Sequence, residues 1–208
     1  MIGYASSTGS RRNLDALSAA GWRLLFTPET YRPGVSRRFR FAVNNGAWGA
    51  FQKKQAFDDS AFKTLIERCG AQADFVIIPD IVAGGVQSFE FSLSWMSYLK
   101  PLRLLLLPVQ DGMTAELVAP FLRAHPNTGI FLGGSTEWKL REMYAWGMVA
   151  HSLNRYYHVG RVNSARRIQL AAEAGADSFD GSSATRFSKT LPLLESSLRQ
   201  PRLFTARS

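Results

Sequence analysis

Short apolar segments alternate with amphipathic segments along most of this chain. The apolar segments are almost continuously hydrophobic, as at residues 74–78, 103–109 and 129–132. Strands of this composition are buried on both faces, which is typical of a parallel sheet covered by helices. The segments between them place apolar residues at a helical spacing, so they predict helices.

The pattern predicts about eight strands, most of them followed by a helix. The predicted strands span residues 2–5, 22–26, 39–43, 74–78, 103–109, 129–132, 156–159 and 178–180. The predicted helices span residues 11–20, 60–69, 88–99, 114–124, 137–149, 164–174 and 191–198, and residues 27–38 are predicted to form a loop. Eight such units indicate a closed (β/α)₈ barrel, with a doubly wound open sheet as the alternative.

Length and charge narrow the class of protein. The 208 residues suit a single domain with a sizeable core and a short basic C-terminal tail. The net charge of +9 favours an anionic partner, nucleic acid above all or a membrane surface, although it also suits plain solubility. The apolar run at 102–109 is too short to span a bilayer, and the N-terminus does not resemble a signal peptide. A cytoplasmic protein that does not insert into membranes is therefore expected.

The sequence offers little for a metal or a cofactor. Cys69 is the single cysteine, which excludes an internal disulfide and a cysteine-rich zinc site. The three histidines, His125, His151 and His158, do not have the spacing of metal ligands. Gly133-Gly134-Ser135 lacks the lysine of a nucleotide-binding P-loop. No cofactor is expected.

Chemically versatile residues follow the predicted strands. They are Asn44, Asn45, Asp80, Gln110, Asp111, Gly133, Gly134, His158, Arg161 and Asp180. In a parallel barrel the carboxyl ends of the strands meet at one face, where active sites are found. Turn formation accounts for the glycines and asparagines, and helix capping is an alternative role for Asp180, but neither explains Asp80 and Gln110 well. The pattern therefore predicts an enzyme.

These residue types suit a nucleobase. Asp and Gln side chains and backbone N–H groups can read the polar edge of a planar base, and a second carboxylate can attack the anomeric carbon of its sugar. The segment Gly175-Ala-Asp-Ser-Phe-Asp180-Gly, followed by Thr185-Arg186, resembles the nucleophile segment of tRNA-guanine transglycosylases, Gly-Val-Asp-x-Phe-Asp-Cys and then Pro-Thr-Arg.

Five further segments resemble motifs of that family in the same order, so the likeness covers residues 40–187. Val43-Asn-Asn-Gly-Ala-Trp48 is similar to Asp-Ser-Gly-Gly-Phe-Gln, and residues 73–80 are similar to the strand that ends at the base-reading aspartate. Pro108-Val-Gln110-Asp-Gly112, Phe131-Leu-Gly-Gly134 and Tyr157-His-Val-Gly-Arg161 are similar to the Val-Gln-Gly, Gly-Gly and Met-Gly-Val-Gly motifs.

The resemblance implies exchange of guanine for a 7-deazaguanine base such as preQ0. It makes Asp180 the nucleophile that attacks C1′ of the nucleotide and leaves a covalent glycosyl-enzyme. It makes Asp80 and Gln110 the groups that hold the base edge, with the Gly133–Gly134 backbone beside them.

Other positions complete or modify the expected site. Asn45, His158 and Arg161 are expected to complete the base-binding pocket. Asn44 stands where the family has the carboxylate that assists proton transfer. Because an amide cannot act as a general base, this role is either lost or moved, with Asp111 as the nearest candidate.

DNA is the expected polymer. The family's Cys-x-Cys-x-x-Cys…His zinc subdomain, which supports tRNA binding, is not found after Arg186, and Asn-Gly-Ala and His-Val-Gly-Arg-Val-Asn resemble the compact DNA-modifying relatives of phages and bacteria. A homodimer is one option for the assembly. Candidate phosphate contacts are Arg32, Arg37, Arg38, Arg40, Lys53 and Lys54.

Several alternatives stay open. Exchange could act on tRNA or on a free nucleoside. A barrel enzyme for a phosphorylated small molecule could bind phosphate at Gly160-Arg161 and at the helix start near Ser164. A nucleic-acid-binding barrel without catalytic activity is compatible with the amide at Asn44.

Overall fold

The computed structural model describes residues 1–8, 10–186 and 191–199 of the chain. Phe187, at the end of the nucleophile-like segment, and the basic tail from residue 200 onwards lie outside the described residues.

Eight parallel strands form a closed barrel in which strands adjacent in sequence are adjacent in space. The strands are β1 Ile2–Ser6, β2 Arg23–Phe26, β3 Phe41–Val43, β4 Val76–Ile77, β5 Leu105–Val109, β6 Thr128–Leu132, β7 Tyr157–Val159 and β8 Ser178–Gly181. Pairing of β8 with β1, which sets Asp180 opposite Tyr4, closes the barrel. The predicted (β/α)₈ barrel is confirmed, and the open-sheet alternative is wrong.

Helices follow the strands and cover the outside of the barrel. They are α1 Arg11–Ala19, α2 Pro33–Ser36, α3 Ala47–Gln52, α4 Asp59–Cys69, α5 Gly85–Ser94, α6 Met96–Leu99, α7 Ala115–Ala124, α8 Thr136–Ser152, α9 Ala165–Glu173, α10 Ser183–Arg186 and α11 Leu191–Arg199, with a 3₁₀ turn at Gly70–Gln72. No helix in the described part of the chain is both long and apolar enough to cross a bilayer.

Local predictions fail in three places. The single helix predicted at 88–99 is interrupted at Trp95, whose buried ring packs against Phe57 and Phe62. The loop predicted at 27–38 contains α2, which begins at Pro33, where the fixed φ of proline favours a helix start. The short helix α3 was not predicted from the sequence.

The strands separate two apolar clusters. Inward-facing side chains fill the barrel, namely Tyr4, Leu25, Ala42, Phe75, Ile77 and Leu106. Outward-facing side chains such as Phe26, Val43 and Phe179 pack with the helices in a larger cluster. Because successive side chains of a strand point to opposite faces, a strand between two cores must be apolar at every position. This explains the continuous apolar runs in the sequence.

An ionic cluster lies at the amino-terminal end of the barrel. Asp74, just before β4, accepts hydrogen bonds from the hydroxyl of Tyr4 at 3.0 Å and from Arg23 at 3.0 Å. Arg40, just before β3, pairs with the same carboxylate at 2.6 Å. Asp180 is at the carboxyl end of β8, so Arg40 lies at the opposite end of the barrel. The expectation that Arg40 approaches the face of the site is corrected.

Close packing at Gly147 provides a test of the fold. A Cβ atom at this position of α8 would overlap the carbonyl oxygen of Ala174 and approach the Tyr157 ring. We expect Gly147→Ala to lower the free energy of unfolding by about 1–3 kcal/mol because packed backbone must shift. Urea unfolding followed by circular dichroism measures this change.

Gly49→Ala is the matched control for this substitution. Gly49 lies inside α3, and no heavy atom outside its own helix lies within 4 Å of a Cβ built there. Alanine has the higher helix propensity, so Gly49→Ala should be neutral or stabilise by up to about 1 kcal/mol. Equal stability of the two variants would contradict the packing described for α8.

Candidate active site

Asp180 lies at the carboxyl end of β8. Because side chains alternate along a strand, Ser178 and Asp180 point into the barrel while Phe179 points out into the helical layer. The Oδ2 atom of Asp180 is 3.0 Å from Nε2 of His158. Its Oδ1 atom accepts a longer bond, of 3.3 Å, from the backbone N–H of Arg161. The carboxylate is therefore held firmly through one oxygen and loosely through the other.

Asp180 does not cap the helix that follows. The N–H of Ser183, at the start of α10, donates to Oδ1 of Asn163 at 3.2 Å, and the Ser183 hydroxyl donates to the Asn163 carbonyl. Asn163 thus takes the capping role considered for Asp180.

His158 lies beneath Asp180, inside the barrel. Its side chain is fully buried, and its Nδ1 atom is 2.7 Å from Oγ of Ser178. The ring stacks on Phe131 with the centroids 5.2 Å apart and meets Phe75 edge-on. The expectation that His158 contacts a base is corrected, because a fully buried ring with both nitrogens hydrogen-bonded has no face or atom for a ligand.

Asp80 is held in place by Asn45. The amide nitrogen of Asn45 donates to Oδ1 of Asp80 and to the carbonyl of Ile78, both at 2.8 Å, and its oxygen accepts from Ala47 N–H. Burial raises the pKa of Asp80 to about 6, against the opposing effects of the Asn45 bond and the Arg161 charge. Asn45 was predicted to contact substrate, but both of its amide hydrogens bind protein, so it orients Asp80 instead.

Arg161 brings the predicted carboxylates together. Burial lowers the pKa of its guanidinium, while attraction from Asp180, Asp80 and Asp111 acts in the opposite direction. Asp180 lies at the carboxyl end of β8, and Asp80 and Asp111 follow β4 and β5. The guanidinium of Arg161 attracts all three. The structure therefore assembles one cluster from residues that the sequence placed at separate strand ends.

The Arg161 side chain also contacts the two loops beside it. Its guanidinium donates to the carbonyl of Gly134 and lies over the Trp48 ring, 4.3 Å from the centroid. Trp48 stacks in turn on Phe51. The backbone of Arg161 has a φ of +56°, a left-handed conformation that is strained for a residue with a side chain.

The Gly133–Gly134 turn is shaped by Asp111. The N–H of Gly133 donates to the Val109 carbonyl at 2.9 Å and continues the sheet. Gly134 has a φ of +69°, and a Cβ atom there would lie 2.6 Å from Oδ2 of Asp111, so only glycine fits. Asp111 accepts from the N–H and hydroxyl of Ser135 at 2.6 and 2.7 Å. The N–H of Gly134 takes no part in these bonds and is the donor of the turn best suited to a ligand.

Asp111 is poorly suited to proton transfer. Its slight burial acts to raise the pKa of the carboxyl, but the Ser135 hydrogen bonds outweigh that effect and the pKa is lowered. A carboxylate with a lowered pKa is a weak base near neutral pH. The proton-transfer role expected for Asp111 is therefore not favoured.

Asn44 and Gln110 have partly structural roles. The Oδ1 atom of Asn44 accepts the N–H of Gly46 at 3.0 Å, which stabilises the turn after β3. The amide nitrogen of Gln110 donates to the carbonyl of Ile81 at 2.9 Å, and the side chain is nearly buried. Its carbonyl oxygen is the atom that could accept from a base.

Lys139 belongs to the site but was missed from the sequence. It is buried in the first turn of α8, and its ammonium donates to the carbonyl of Gly160. Burial lowers the pKa of Lys139 to about 7, helped by Arg161 and Arg167 and opposed by Asp180. Lys139 thereby supports the turn that carries the Arg161 N–H.

A sequence signal existed for Lys139, whereas the contact of Trp48 with Arg161 had none. Positions 139, 143, 146 and 150 follow a helical period along the buried face of α8, and Lys139 lies in that row. Trp48 was part of a quoted motif, but its contact with Arg161 joins two loops that are far apart in the chain.

The residues predicted to contact phosphate differ in whether an acidic side chain already pairs with them. Arg38 pairs with Asp15 at 2.7 Å, and Lys53 pairs with Glu29 at 2.5 Å. Of the predicted contacts, Arg32, Arg37 and Lys54 are exposed and form no salt bridge within the described part of the chain.

Basic residues not predicted to bind phosphate flank β8. Arg11 and Arg12 begin α1, and Arg166 and Arg167 lie in the first turn of α9. The strands before these helices, β1 and β7, are the two neighbours of β8. The four arginines therefore lie on the face of the barrel that carries Asp180. Neither helix has an acidic residue in its first turn, where acidic residues are usually favourable.

Two clefts lie outside this cluster. One, of about 340 Å³, is lined by Gly112–Ala115 and one face of α8. The other, of about 400 Å³, is lined by His151, Asn154, Arg155, Tyr156 and Asp177. Neither is lined by Asp80, Arg161 or Asp180.

Comparison with known proteins assigns this chain to no family. No protein-family model and no curated protein sequence matches it. Within the described residues, no group of three or more His, Cys, Asp or Glu side chains could hold a metal ion.

Lys139 provides a test of the electrostatics that does not depend on function. Because its pKa falls from 10.5 to about 7 on folding, the unfolded chain binds more protons between these pH values. Lys139 should therefore make stability rise with pH in this range, by up to about 1.4 kcal/mol per pH unit. Lys139→Met should flatten that rise when urea unfolding is measured at pH 7, 8 and 9.

Lys100→Met is the matched control, because Lys100 is exposed at the end of α6. This variant should keep the pH dependence of the wild type. If Lys139→Met also keeps it, Lys139 does not have the environment described.

Proposed function

We propose that this protein is a base-exchange transglycosylase that replaces guanine in DNA by a 7-deazaguanine base through a covalent bond to Asp180. The observation that carries the proposal is the half-restrained carboxylate. His158 holds Oδ2 of Asp180 at 3.0 Å, while Oδ1 has only a longer contact and lies beside the Arg161–Asp80 cluster. A nucleophile needs this combination of fixed orientation and an available oxygen.

The neighbouring groups suit a guanine edge. Guanine presents adjacent N–H donors in the plane of its ring, as a guanidinium does. Asp80 and Asp180 interact with the planar guanidinium of Arg161, which also lies over Trp48. For a base to use Asp80 and the Trp48 ring in the same way, the Arg161 side chain has to move aside.

The exchange proceeds in two displacements. Oδ1 of Asp180 attacks C1′, the bond from C1′ to the guanine nitrogen breaks, and its electron pair leaves with the base, which then takes up a proton. The 7-deazaguanine loses its ring N–H proton, attacks C1′ in turn and releases the Asp180 carboxylate. Asp80, with a pKa of about 6, is the carboxyl of the cluster best matched to such proton exchange near neutral pH.

The polymer is proposed from charge and position. The chain carries a net charge of +9, and Arg11, Arg12, Arg166 and Arg167 flank the strand of the nucleophile. A guanine within duplex DNA has to leave the stack to reach a carboxylate at the barrel mouth. Contacts between these arginines and the DNA backbone would hold the DNA strand in place while the base leaves the stack.

The small-molecule alternative has less support. It requires a phosphate at the Gly160–Arg161 turn, where the N–H of Arg161 already donates to Asp180 and the carbonyl of Gly160 accepts from Lys139. A phosphate there would be repelled by the Asp180 carboxylate. The remaining alternative is a nucleic-acid-binding barrel without catalytic activity. The activity test below decides between it and the proposed enzyme.

The test of function is incorporation of labelled guanine or preQ0 into DNA, tRNA and free nucleosides. We expect incorporation into DNA by the wild type and a loss of roughly 10⁴-fold or more in Asp180→Asn, because the nucleophile is removed. A denatured reaction mixture should contain a peptide with a sugar adduct at Asp180. Asp111→Asn is the control for loss of a carboxylate in the same cluster and should retain much more activity.

Two outcomes would contradict this function. One is an adduct on a residue other than Asp180. The other is exchange into tRNA or nucleosides with none into DNA, which would keep the chemistry and change the substrate.

The DNA surface is tested by the salt dependence of binding. If Arg11 and Arg12 each contact a phosphate, Arg11→Ala/Arg12→Ala should lower the slope of log affinity against log salt by roughly 2. Binding is measured by fluorescence anisotropy with a labelled duplex at several salt concentrations.

The charge-matched control is Arg103→Ala/Arg123→Ala. Arg103 precedes β5 and Arg123 ends α7, so these exposed residues lie at the opposite end of the barrel. The control should leave the slope unchanged. Equal effects of the two double variants would mean that only net charge matters and would refute the proposed surface.

A further inference from the structure

A chain of hydrogen bonds runs inside the barrel and ends at Asp180. Oδ2 of Asp180 lies 3.0 Å from Nε2 of His158, and Nδ1 of His158 lies 2.7 Å from Oγ of Ser178. His158 and Ser178 are fully buried and stand opposite each other in the β7–β8 register, so the backbone fixes their separation.

The direction of these bonds follows from the carboxylate at one end. The Asp180 carboxylate can only accept, so Nε2 of His158 must carry a hydrogen. A neutral imidazole has one N–H, so Nδ1 is then left as an acceptor. The hydroxyl of Ser178, 2.7 Å from Nδ1, is the donor to it. The hydrogen-bond chain therefore favours the imidazole tautomer with Nδ1 as acceptor and Nε2–H as donor.

The ring of His158 is also fixed in orientation. It stacks on Phe131 at an interplanar angle of 14° and meets Phe75 and Tyr4 edge-on. Rotation of the imidazole would break both of its hydrogen bonds and disturb this packing. The Nε2–H vector is therefore determined by packing as well as by hydrogen bonding.

We infer that His158 is a positioning residue for the nucleophile and that Ser178 sets its tautomer. This role rests on the proposed function of Asp180. His158 binds Oδ2, so the carboxylate cannot rotate freely and Oδ1 becomes the attacking oxygen. His158 and Ser178 do not contact substrate, because neither side chain has exposed surface. They act only through the orientation of Asp180.

The first experiment reads the tautomer directly and needs no activity. Two-bond ¹⁵N–¹H correlation spectra of the ¹⁵N-labelled wild-type protein distinguish a protonated from an unprotonated imidazole nitrogen. We expect His158 to show protonated Nε2 and unprotonated Nδ1, and we expect Ser178→Ala to give a mixture of the two tautomers. Nδ1–H as the main form in the wild type would overturn the inference.

The second experiment measures kinetics. His158→Phe keeps an aromatic ring in the box of Phe131, Phe75 and Tyr4 but removes the donor to Asp180. We expect kcat for base exchange to fall by roughly 10²-fold, as for loss of nucleophile orientation, with KM for the free base changed less than about 3-fold. His158→Gln can still donate one hydrogen bond and should recover part of the loss.

Tyr157→Phe is the matched control for removal of a buried hydrogen bond from the same strand. Its hydroxyl donates to the Met143 carbonyl at 2.6 Å, on the outer face of the barrel. It should lose stability without a selective loss of kcat. Unchanged kcat in His158→Phe, or an equal loss in Tyr157→Phe, would refute the positioning role.

The two experiments separate the inference from the function on which it rests. If no exchange occurs with any substrate, the proposed function fails while the spectra still decide the hydrogen-bond chain. If exchange occurs and depends on Asp180 but not on His158, the function stands and the inference fails. If His158→Phe does not fold, Ser178→Ala provides the kinetic test, with an expected smaller fall in kcat alone.

Discussion

Attraction between one guanidinium and three carboxylates is the interaction around which the site is built. Asp80, Asp111 and Asp180 come from the ends of three strands, and all three attract the guanidinium of Arg161. Like charges repel one another, so a cation near all three favours their presence at one end of the barrel. Arg161 supplies that charge from a strained turn after β7. The buried Lys139 supports the turn through the Gly160 carbonyl. The charge of Arg161 thus partly balances the three carboxylates that the strand ends place at this face.

Several polar residues at the barrel mouth orient other side chains instead of facing a ligand. Asn45 holds Asp80, Ser135 holds Asp111, and His158 holds Asp180. Each of these supports restricts the rotation of a carboxylate and leaves part of it available. Preorganisation of this kind fixes the direction of the reactive groups before a substrate arrives, and it requires more buried polar residues than the chemistry itself uses.

The two ends of the barrel use charge in different ways. At the amino-terminal end, Asp74 is paired with Arg23 and Arg40 and with the Tyr4 hydroxyl, so its carboxylate is fully engaged. At the carboxyl end, the carboxylates share one arginine and retain unsatisfied capacity. This difference matches the general separation of stability and activity between the two ends of such barrels. The proposed catalytic role of Asp180 is consistent with that separation.

The sequence by itself determined the number of strands, the parallel α/β class and the positions of Asp80, Gln110 and Asp180 at strand ends, but it left a closed barrel and an open sheet as alternatives. These features depend on local periodicity, because a strand buried on both faces must be apolar throughout and its polar residues must come at its end. The strand alternation also placed Ser178 and Asp180 on one face.

Only the tertiary structure decided what those side chains contact. The bond between His158 and Asp180 joins residues 22 positions apart, and that between Asn45 and Asp80 joins residues 35 positions apart. The local sequence pattern likewise did not predict the burial of Lys139 or the location of Arg40 at the far end of the barrel. Closure of the barrel and the register of its strands bring these partners together, and neither is determined by the residues adjacent to them in the chain.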